Sequence, residues 1–493
     1  MTCSLILLVS TPAVIGLGSL LSRHRRVVEA LQCVQVGVLP ATASLILESV
    51  LVEGHVRAGR LLYADGLSAW LDVIIGAVGA TGTLYAVGYQ GEELDRGRLS
   101  FRRFRQFFCL FDLYVAAMLT AVNVESVAIM WIAIEGSTLS AALLIGFARS
   151  KAALEAGWKY IILSSVGIAL ALFGTILVYY SSEHVLGVTS EALRWPDLYR
   201  AAASLDQNAI MIAFIFILIG YGTKAGMAPM HSWLPDAHAE APTPVSAMLS
   251  ANMLTVAVYA ILRFKAVADR TLGSTFTSRL MIGLGLLSIA VAATSLLVQR
   301  DYKRLFAYSS IEHIGISLVG FGIGGTGVLA GFWHLLNHAL TKSTAFYGAG
   351  LVLLRHEHRM LDRVPGLLYQ MPLAAWAILV AGFALGGMPP SGLFVSELLI
   401  TTAAFTATPA VAYGLLGLLT LAFATLLYQV LRMALGAPLA DGRPLGRRCR
   451  IFTGAAIGVN LAALGVIGLQ MPPSFAALLE MVARLFSQTT EVP

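Results

Sequence analysis

Four short stretches of this chain place ionisable side chains inside apolar runs. Glu135 lies in IMWIAIEGSTLSAALLIG and Lys224 in FIFILIGYGTKAGMAP. His334, His338 and Lys342 share FWHLLNHALTKSTAFYG, and Glu397 closes GMPPSGLFVSE. A charge at the centre of a lipid-embedded helix costs about 2.5–3.5 kcal/mol on insertion scales, so each of these residues needs a task. Lysine, histidine and glutamate are the side chains that take and give protons. Burial disfavours the charged form of such groups, and a nearby opposite charge restores it. At an effective dielectric near 20, a unit charge 4 Å away is worth about 4 kcal/mol, or roughly three pKa units. Moving the partner's charge therefore switches a buried lysine between gripping and releasing a proton. A row of such switches is chemistry for moving protons, with no residue cast as a catalyst.

Other readings of the same residues are weaker. Glu135 and Lys224 could form a structural ion pair between helices. His334 and His338, four apart, share a helix face, but HLLNH lacks the glutamate of an HExxH metal motif. His231, Asp236, His238 and Glu240 in MHSWLPDAHAE have metal-ligand types, yet they fall in a proline-containing turn where capping and loop packing account for them. No metal site is assigned. RHEHR at 355–359 reads as a solvated loop, and Asp301, Lys303 and Arg304 as a cytoplasmic helix start, with contact to a proton entry as the alternative.

The elements that position these groups must be membrane spans. Of the 493 residues 57% are apolar and 12% charged, with mean hydropathy +0.78. Soluble domains run near 45–50% and about 25%. Single cores stop growing beyond roughly 250–300 residues, so the excess apolar surface must face lipid. Apolar runs recur at 3–22, 28–52, 66–89, 106–122, 124–147, 159–180, 208–229, 243–262, 280–298, 304–321, 326–354, 371–405, 409–431 and 451–472. This predicts an all-α polytopic membrane protein of about fourteen spans, not a β-barrel of short alternating segments. The first run has its basic cluster after it, so it reads as an uncleaved span. Cys3, Cys33, Cys109 and Cys449 lie far apart with no CxxC pair, which argues against iron–sulfur or thiolate zinc sites in this chain. No P-loop pattern offers ATP as a driver. The net charge of +6 sits in short connections and marks topology, not nucleic-acid binding. Odd-numbered connections carry 22 Lys/Arg and even-numbered ones 8, which places the odd connections in the cytoplasm and both termini outside.

Two spans contain helix breakers. Gly226 and Pro229 interrupt the seventh; Pro389 and Pro390 interrupt the twelfth. Proline removes a backbone donor, and such breaks survive at membrane depth only where protein or a wet cavity satisfies them. The stretches 226–236 and 387–397 align without gaps at an offset of 161, in spans of opposite direction. That is the pattern of an inverted-repeat transporter with its ion site at the breaks.

LIGYGTKAGMAPMHSWLPDAHAEAPTPVSA, DYKRLFAYSSIEHIGISLVGFG and HLLNHALTKS resemble the antiporter-like subunits of respiratory complex I and of Mrp sodium/proton antiporters. Within that superfamily, LDRGRLSFRRFRQFFCLFDLY, MWIAIEGSTLSAALL and LEAGWKYIILSSVGIALALFG are most similar to hydrogenase-4 component F, of group 4 membrane-bound NiFe hydrogenases of the formate hydrogenlyase type. The resemblance runs from about residue 60 to 430. It implies fourteen helices with two inverted five-helix bundles. The corresponding units are 1–105 with three spans, 106–265 with spans 4–8, 279–432 with spans 9–13, and 433–493 with the last span and a short tail. It implies an input pair of Glu135 and Lys224, an eleventh-span relay of His334, His338 and Lys342, and a charged position, Glu397, at the twelfth-span break. Relatives often carry lysine or histidine in the eighth span, where this chain has SANMLTVAVYAIL; mid-span polarity there comes from Asn252 and Thr255, which do not titrate, as guides for water.

The function expected is thus a proton-translocating subunit of the bacterial inner membrane, driven by partners holding NiFe and iron–sulfur centres and joined by other antiporter-like subunits. The cation is a proton, or alternatively sodium. Complex I proper, an Mrp-type antiporter and an inorganic-carbon uptake complex keep the same fold. A scaffold with a vestigial channel is the remaining alternative.

Overall fold

The computed structural model describes residues 2–438 and 442–486. Among them the only sheet is a hairpin of β1 (His55–Ala58) and β2 (Leu62–Asp65), in register His55 to Asp65. It follows α1 (Thr2–Leu21) and α2 (Arg25–Glu53) and leads into α3 (Gly66–Asp95), α4 (Phe101–Val122), α5 (Val127–Ile145) and α6 (Lys151–Leu186). The short α7 (Trp195–Ala201) precedes α8 (Gln207–Ala225) and α9 (Leu234–Glu240). Then α10 (Thr243–Met248) runs through a π-turn, Leu249–Met253, into α11 (Leu254–Leu272). The second half holds α12 (Ser274–Leu297), α13 (Tyr302–Ile323), α14 (Thr326–His356), α15 (Leu367–Gln370), α16 (Pro372–Leu385), α17 (Gly392–Ala407) and α18 (Pro409–Ala434). The chain closes with α19 (Arg447–Leu469) and the short α20 (Pro473–Arg484).

Helix starts follow their capping side chains. Ser100, Ser150, Asp206 and Ser391 each accept a hydrogen bond from the N–H three residues on, and Asp301 accepts from both Lys303 and Arg304. The fourteen apolar runs all fall on helices. Among the described residues twelve helices are long and apolar enough to cross a membrane, so the all-α, multi-pass reading holds. The sixth run extends well beyond the expected 159–180, because Ser150 caps a helix that runs from Lys151 to Leu186.

Polar content decides which helices sit inside. The spans of α3, α10–α11 and α13 are 83%, 100% and 89% buried, and α14, with His334, His338 and Lys342, is enclosed as well. Around them, α5 and α6 present Ile132, Leu139, Leu143, Trp158 and Val166 outward, as a lipid-facing surface requires. Gly285 and Gly315 let α12 and α13 touch: a Cβ on either would lie 2.7 Å from the other's carbonyl oxygen. In the N-terminal helices Asp112 accepts from Gln32 at 2.7 Å and Gln35 at 3.0 Å, tying α4 to α2.

The ion pairs sort by face. Arg25–Asp95, Arg98–Glu357, Arg304–Asp236 and Arg359–Glu240 link odd connections to one another. Glu125 joins Arg57 and Arg194 at 2.8 and 2.9 Å, linking even connections. On that same face Arg263 grips Asp65 through two hydrogen bonds of 2.5 and 2.7 Å. The 355–359 run is therefore no free loop: Arg359 also reaches Asp301 at 3.3 Å and Tyr302 donates to the His358 carbonyl.

Candidate functional site

Lys224 sits in the last turn of α8, one residue short of the break. Its ammonium donates to Thr138 Oγ1 at 2.6 Å and Tyr160 Oη at 2.7 Å, with the Tyr160 ring 5.0 Å away. Both acceptors are neutral. Among the described residues no carboxylate lies within ion-pair reach of Lys224, so the two-residue salt bridge with Glu135 is not formed. Glu135 stands one helical turn before Thr138 on α5, with Oε2 buried and without a hydrogen-bond partner. A neutral hydroxyl on the same helix face thus stands beside the acid and holds the base.

The two breaks close in the same way. Gly226 (φ 73°) and Gly387 (φ 67°) adopt the left-handed conformation that glycine tolerates. Met227 N–H then bonds the Gly222 carbonyl at 2.9 Å, and Met388 N–H bonds the Phe383 carbonyl at 3.0 Å. This is a Schellman closure at both sites, displaced by the same 161 residues as the sequence alignment. Trp233 Nε1 also donates to the Thr223 carbonyl at 2.8 Å, satisfying an orphan acceptor beside Lys224. Pro229 lies in the first break and Pro389 and Pro390 in the second, where helical donors are not needed.

Between the halves, the π-turn carries the polar atoms. Ser250 and Ser310 meet at 2.7 Å, and Tyr160 Oη lies 3.3 Å from Met253 Sδ. Asn252 Nδ2 contacts Met248 Sδ at 3.7 Å and its Oδ1 is buried without a partner. Thr255 turns its hydroxyl back to the Ala251 carbonyl at 2.6 Å. The titratable group missing from the eighth span has a neighbour on α9: His238 is fully buried, 6.4 Å from Trp233 and 5.7 Å from Phe346 between ring centres. Its Nδ1 bonds the Leu234 carbonyl at 2.8 Å, which leaves Nε2 as an unpartnered acceptor.

Lys342, on α14, donates to the Phe306 carbonyl at 2.7 Å and to Ser309 Oγ. These too are neutral. Glu312 lies one turn beyond Ser309 on α13, buried, with Oε2 unpartnered. The arrangement repeats that of the first half: an acid one turn from a hydroxyl that holds a lysine.

From there a chain of imidazoles leads to the second break. His338 has both ring nitrogens unpartnered and faces His313 at 5.3 Å between ring centres. His313 Nδ1 lies 3.0 Å from His334 Nε2 and 3.8 Å from Glu397 Oε1. Ser396 Oγ donates to the Leu393 carbonyl at 2.9 Å, so it accepts from His334 Nδ1–H at 2.9 Å. That assigns the lone pair of His334 to Nε2, which accepts from His313 Nδ1–H. A proton arriving at His313 Nε2 from His338 can therefore leave from Nδ1 toward Glu397. The carboxylate packs on Gly387, where a Cβ would lie 2.2 Å from Glu397 Oε2.

To Glu135, Lys224, His334, His338, Lys342 and Glu397, which stand out in the sequence, the structure adds Glu312, His313, Ser309, Ser396, Thr138 and Tyr160. Glu312 and His313 were detectable by the same rule, as charge-bearing types within the apolar run 304–321. Three of the four metal-like residues of the seventh break are separately engaged: Asp236 pairs with Lys159 at 3.1 Å and with Arg304, Glu240 with Arg359 at 2.7 Å, and His238 with backbone. His231 Nδ1 has no partner. Lys303 is buried and donates to the Ala241 carbonyl at 2.7 Å.

The family described as NADH:quinone oxidoreductase/Mrp antiporter, TM, matches residues 124–423. A hydrogenase-4 component F homolog of Methylacidiphilum infernorum (isolate V4) is 40% identical over 389 residues, 78% of this chain and 82% of that protein. Among solved structures, a chain of an archaeal membrane-bound sulfane sulfur reductase superposes with TM-score 0.86 at 22% identity, covering 99% of this chain and 98% of its own. A chain of the Mrp complex from Dietzia sp. DQ12-45-1b gives TM-score 0.81 at 21% identity, covering 98% and 100%. Both are chains of multi-subunit membrane complexes.

Proposed function

Because the chain belongs to the NADH:quinone oxidoreductase/Mrp antiporter transmembrane family, we propose that it is the proton-translocating, antiporter-like subunit of a group 4 NiFe hydrogenase complex in a bacterial inner membrane. The observation that carries this reading is the pair of buried lysines held only by neutral acceptors, in each case with an acid one turn from the hydroxyl that holds the lysine and with that acid's Oε2 unpartnered. A lysine locked in a salt bridge resists losing its proton; one held by hydroxyls and carbonyls is poised to respond when the nearby acid changes charge. The path proposed runs from Glu135 and Lys224, past His238, Asn252 and the Ser250–Ser310 contact, to Lys342 and Glu312. It continues through His338 and His313 to His334 and Glu397.

In this reading α14 and the interrupted pair α16–α17 complete fourteen spans, and the two breaks belong to inverted repeats of spans 4–8 and 9–13. Both termini face the periplasm; the charge bias supports this, as does the contact of Tyr199 on the sixth connection with the Leu485 carbonyl. This chain holds no redox cofactor, and the NiFe and iron–sulfur centres sit in a peripheral arm of partner subunits. Their redox step supplies about 2.3 kcal/mol per charge moved against 100 mV. An Mrp-type antiporter is the second reading, favoured by the fold match to the Mrp chain; sodium dependence of transport separates the two. The primary test is Lys224→Met in inverted membrane vesicles. Proton pumping is expected to vanish while the complex assembles, and pumping at the wild-type rate ends the proposal.

A further inference from the structure

We propose that His313, His334 and Glu397 form a binding site for a transition-metal dication of the Zn2+ class, and that occupancy blocks the proton step at His313. One ligand atom from each residue lies within 4.8 Å of the other two. Ligands held tetrahedrally at 2.0–2.1 Å stand about 3.3 Å apart. The observed separations, 3.0 Å from His313 Nδ1 to His334 Nε2 and 3.8 Å to Glu397 Oε1, bracket that value. Small side-chain shifts bring all three onto one ion and leave a fourth position open.

The donor set selects the metal. Two imidazoles and one carboxylate suit Zn2+ or Co2+, whereas Mg2+ and Ca2+ want oxygen ligands alone. The surrounding groups are already placed. Ser396 holds His334 Nδ1–H, aiming the Nε2 lone pair at the site, and its own hydrogen is committed to Leu393. His313 would move its proton from Nδ1 to Nε2, which is unpartnered; the His338 ring, both of whose nitrogens are unpartnered, lies 5.3 Å away between ring centres. The ring stays neutral in this shift, so the number of protons is unchanged. Glu312, beside His313, adds a second buried carboxyl. The histidines are fully buried, but the Glu397 side chain is 12% exposed and offers the way in.

The sequence pair His334 and His338 is not the one the fold selects: the metal group pairs His334 with His313, from another helix. With Nδ1 of His313 bound to metal, no proton can pass from it to Glu397. Binding itself does not depend on the proton-transfer reading; only the blockade does.

The test is Zn2+ titration of the purified full chain in detergent by calorimetry, with Mg2+ as control, and X-ray absorption at the zinc edge to read the ligands. One Zn2+ per chain with two imidazoles and a carboxylate is expected, and Mg2+ should not bind there. His334→Ala and Glu397→Gln should abolish that site. Ser396→Ala, which keeps every ligand, should weaken it by about 10–100-fold and decides the matter if the others do not fold. Replacing His356 and His358 together should leave it intact. Unchanged Zn2+ affinity in both His334→Ala and Ser396→Ala, or a spectrum without imidazole, overturns the site. Zn2+ binding that leaves vesicle proton pumping unslowed overturns the blockade alone.

Discussion

Replacing Lys224 with arginine separates charge from titration. A guanidinium stays protonated in proteins, so the variant keeps a cation at the end of α8 but cannot hand on a proton. The lysine ammonium spends two donors on Thr138 Oγ1 at 2.6 Å and Tyr160 Oη at 2.7 Å, and both acceptors can serve a guanidinium. An anchoring role therefore survives the exchange, and a proton-carrying role does not. Tyr160→Phe is the graded companion: the ring 5.0 Å away remains and one hydrogen bond to a charged group is lost. Such a bond is worth about 1.5–3 kcal/mol, which at 1.4 kcal/mol per factor of ten predicts proton transfer slowed by roughly ten- to a hundredfold. The assay is dye-quench acidification of inverted vesicles driven by redox turnover of the complex, with assembly checked on native gels. Lys224→Arg should assemble and fail to pump. Arginine pumping at the wild-type rate would refute the reasoning, because it would make Lys224 a structural cation.

Glu312→Gln should slow pumping while leaving the complex assembled; unchanged pumping would make Glu312 a packing residue. Asp65→Asn should destabilise the chain by about 3–5 kcal/mol, since it leaves Arg263 buried without its charge partner, and thermal unfolding in detergent measures it. Burial raises the Asp65 carboxyl, but the Arg263 charge and hydrogen bonds outweigh it and hold the group below its ordinary value. A depressed carboxyl contributes its full stabilisation above the unfolded pKa of about 3.9 and loses it as pH falls through the folded value. The gap between wild type and Asp65→Asn should accordingly stay constant from pH 8 to 5 and narrow only in stronger acid; a gap that closes by pH 6 contradicts this. Gly387→Ala should lower thermal stability and slow pumping, because φ is 67° and the new Cβ would lie 2.2 Å from Glu397 Oε2, whereas Gly414→Ala, with nothing within 4 Å, should be silent.

Much of the architecture is legible in the sequence because its causes are local. Insertion cost confines charges to connections, proline and glycine end helices wherever they stand, and serine or aspartate caps act within one turn. Those rules place the runs on helices and find both breaks. They also bring out the equivalence of Gly226 and Gly387, which the structure repeats in the closing hydrogen bonds. The same equivalence pairs Asp236 with Glu397, yet their fates differ. Asp236 joins Lys159 and Arg304 among ion pairs at the surface, while Glu397 closes a histidine chain.

What the amino-acid sequence determined by itself is that this is a helical membrane protein carrying ionisable groups it cannot afford to leave idle. Only the tertiary structure decided which of them touch. Whether Lys224 meets Glu135 or the hydroxyls of Thr138 and Tyr160, and whether His334 pairs with His338 or His313, depends on how helices distant in sequence are rotated against each other. Helical spacing shows which side chains share a face; it does not show which neighbouring helix that face meets. His238 reaches the interior for the same reason: the broken seventh span lets α9 turn inward and pack beside α14.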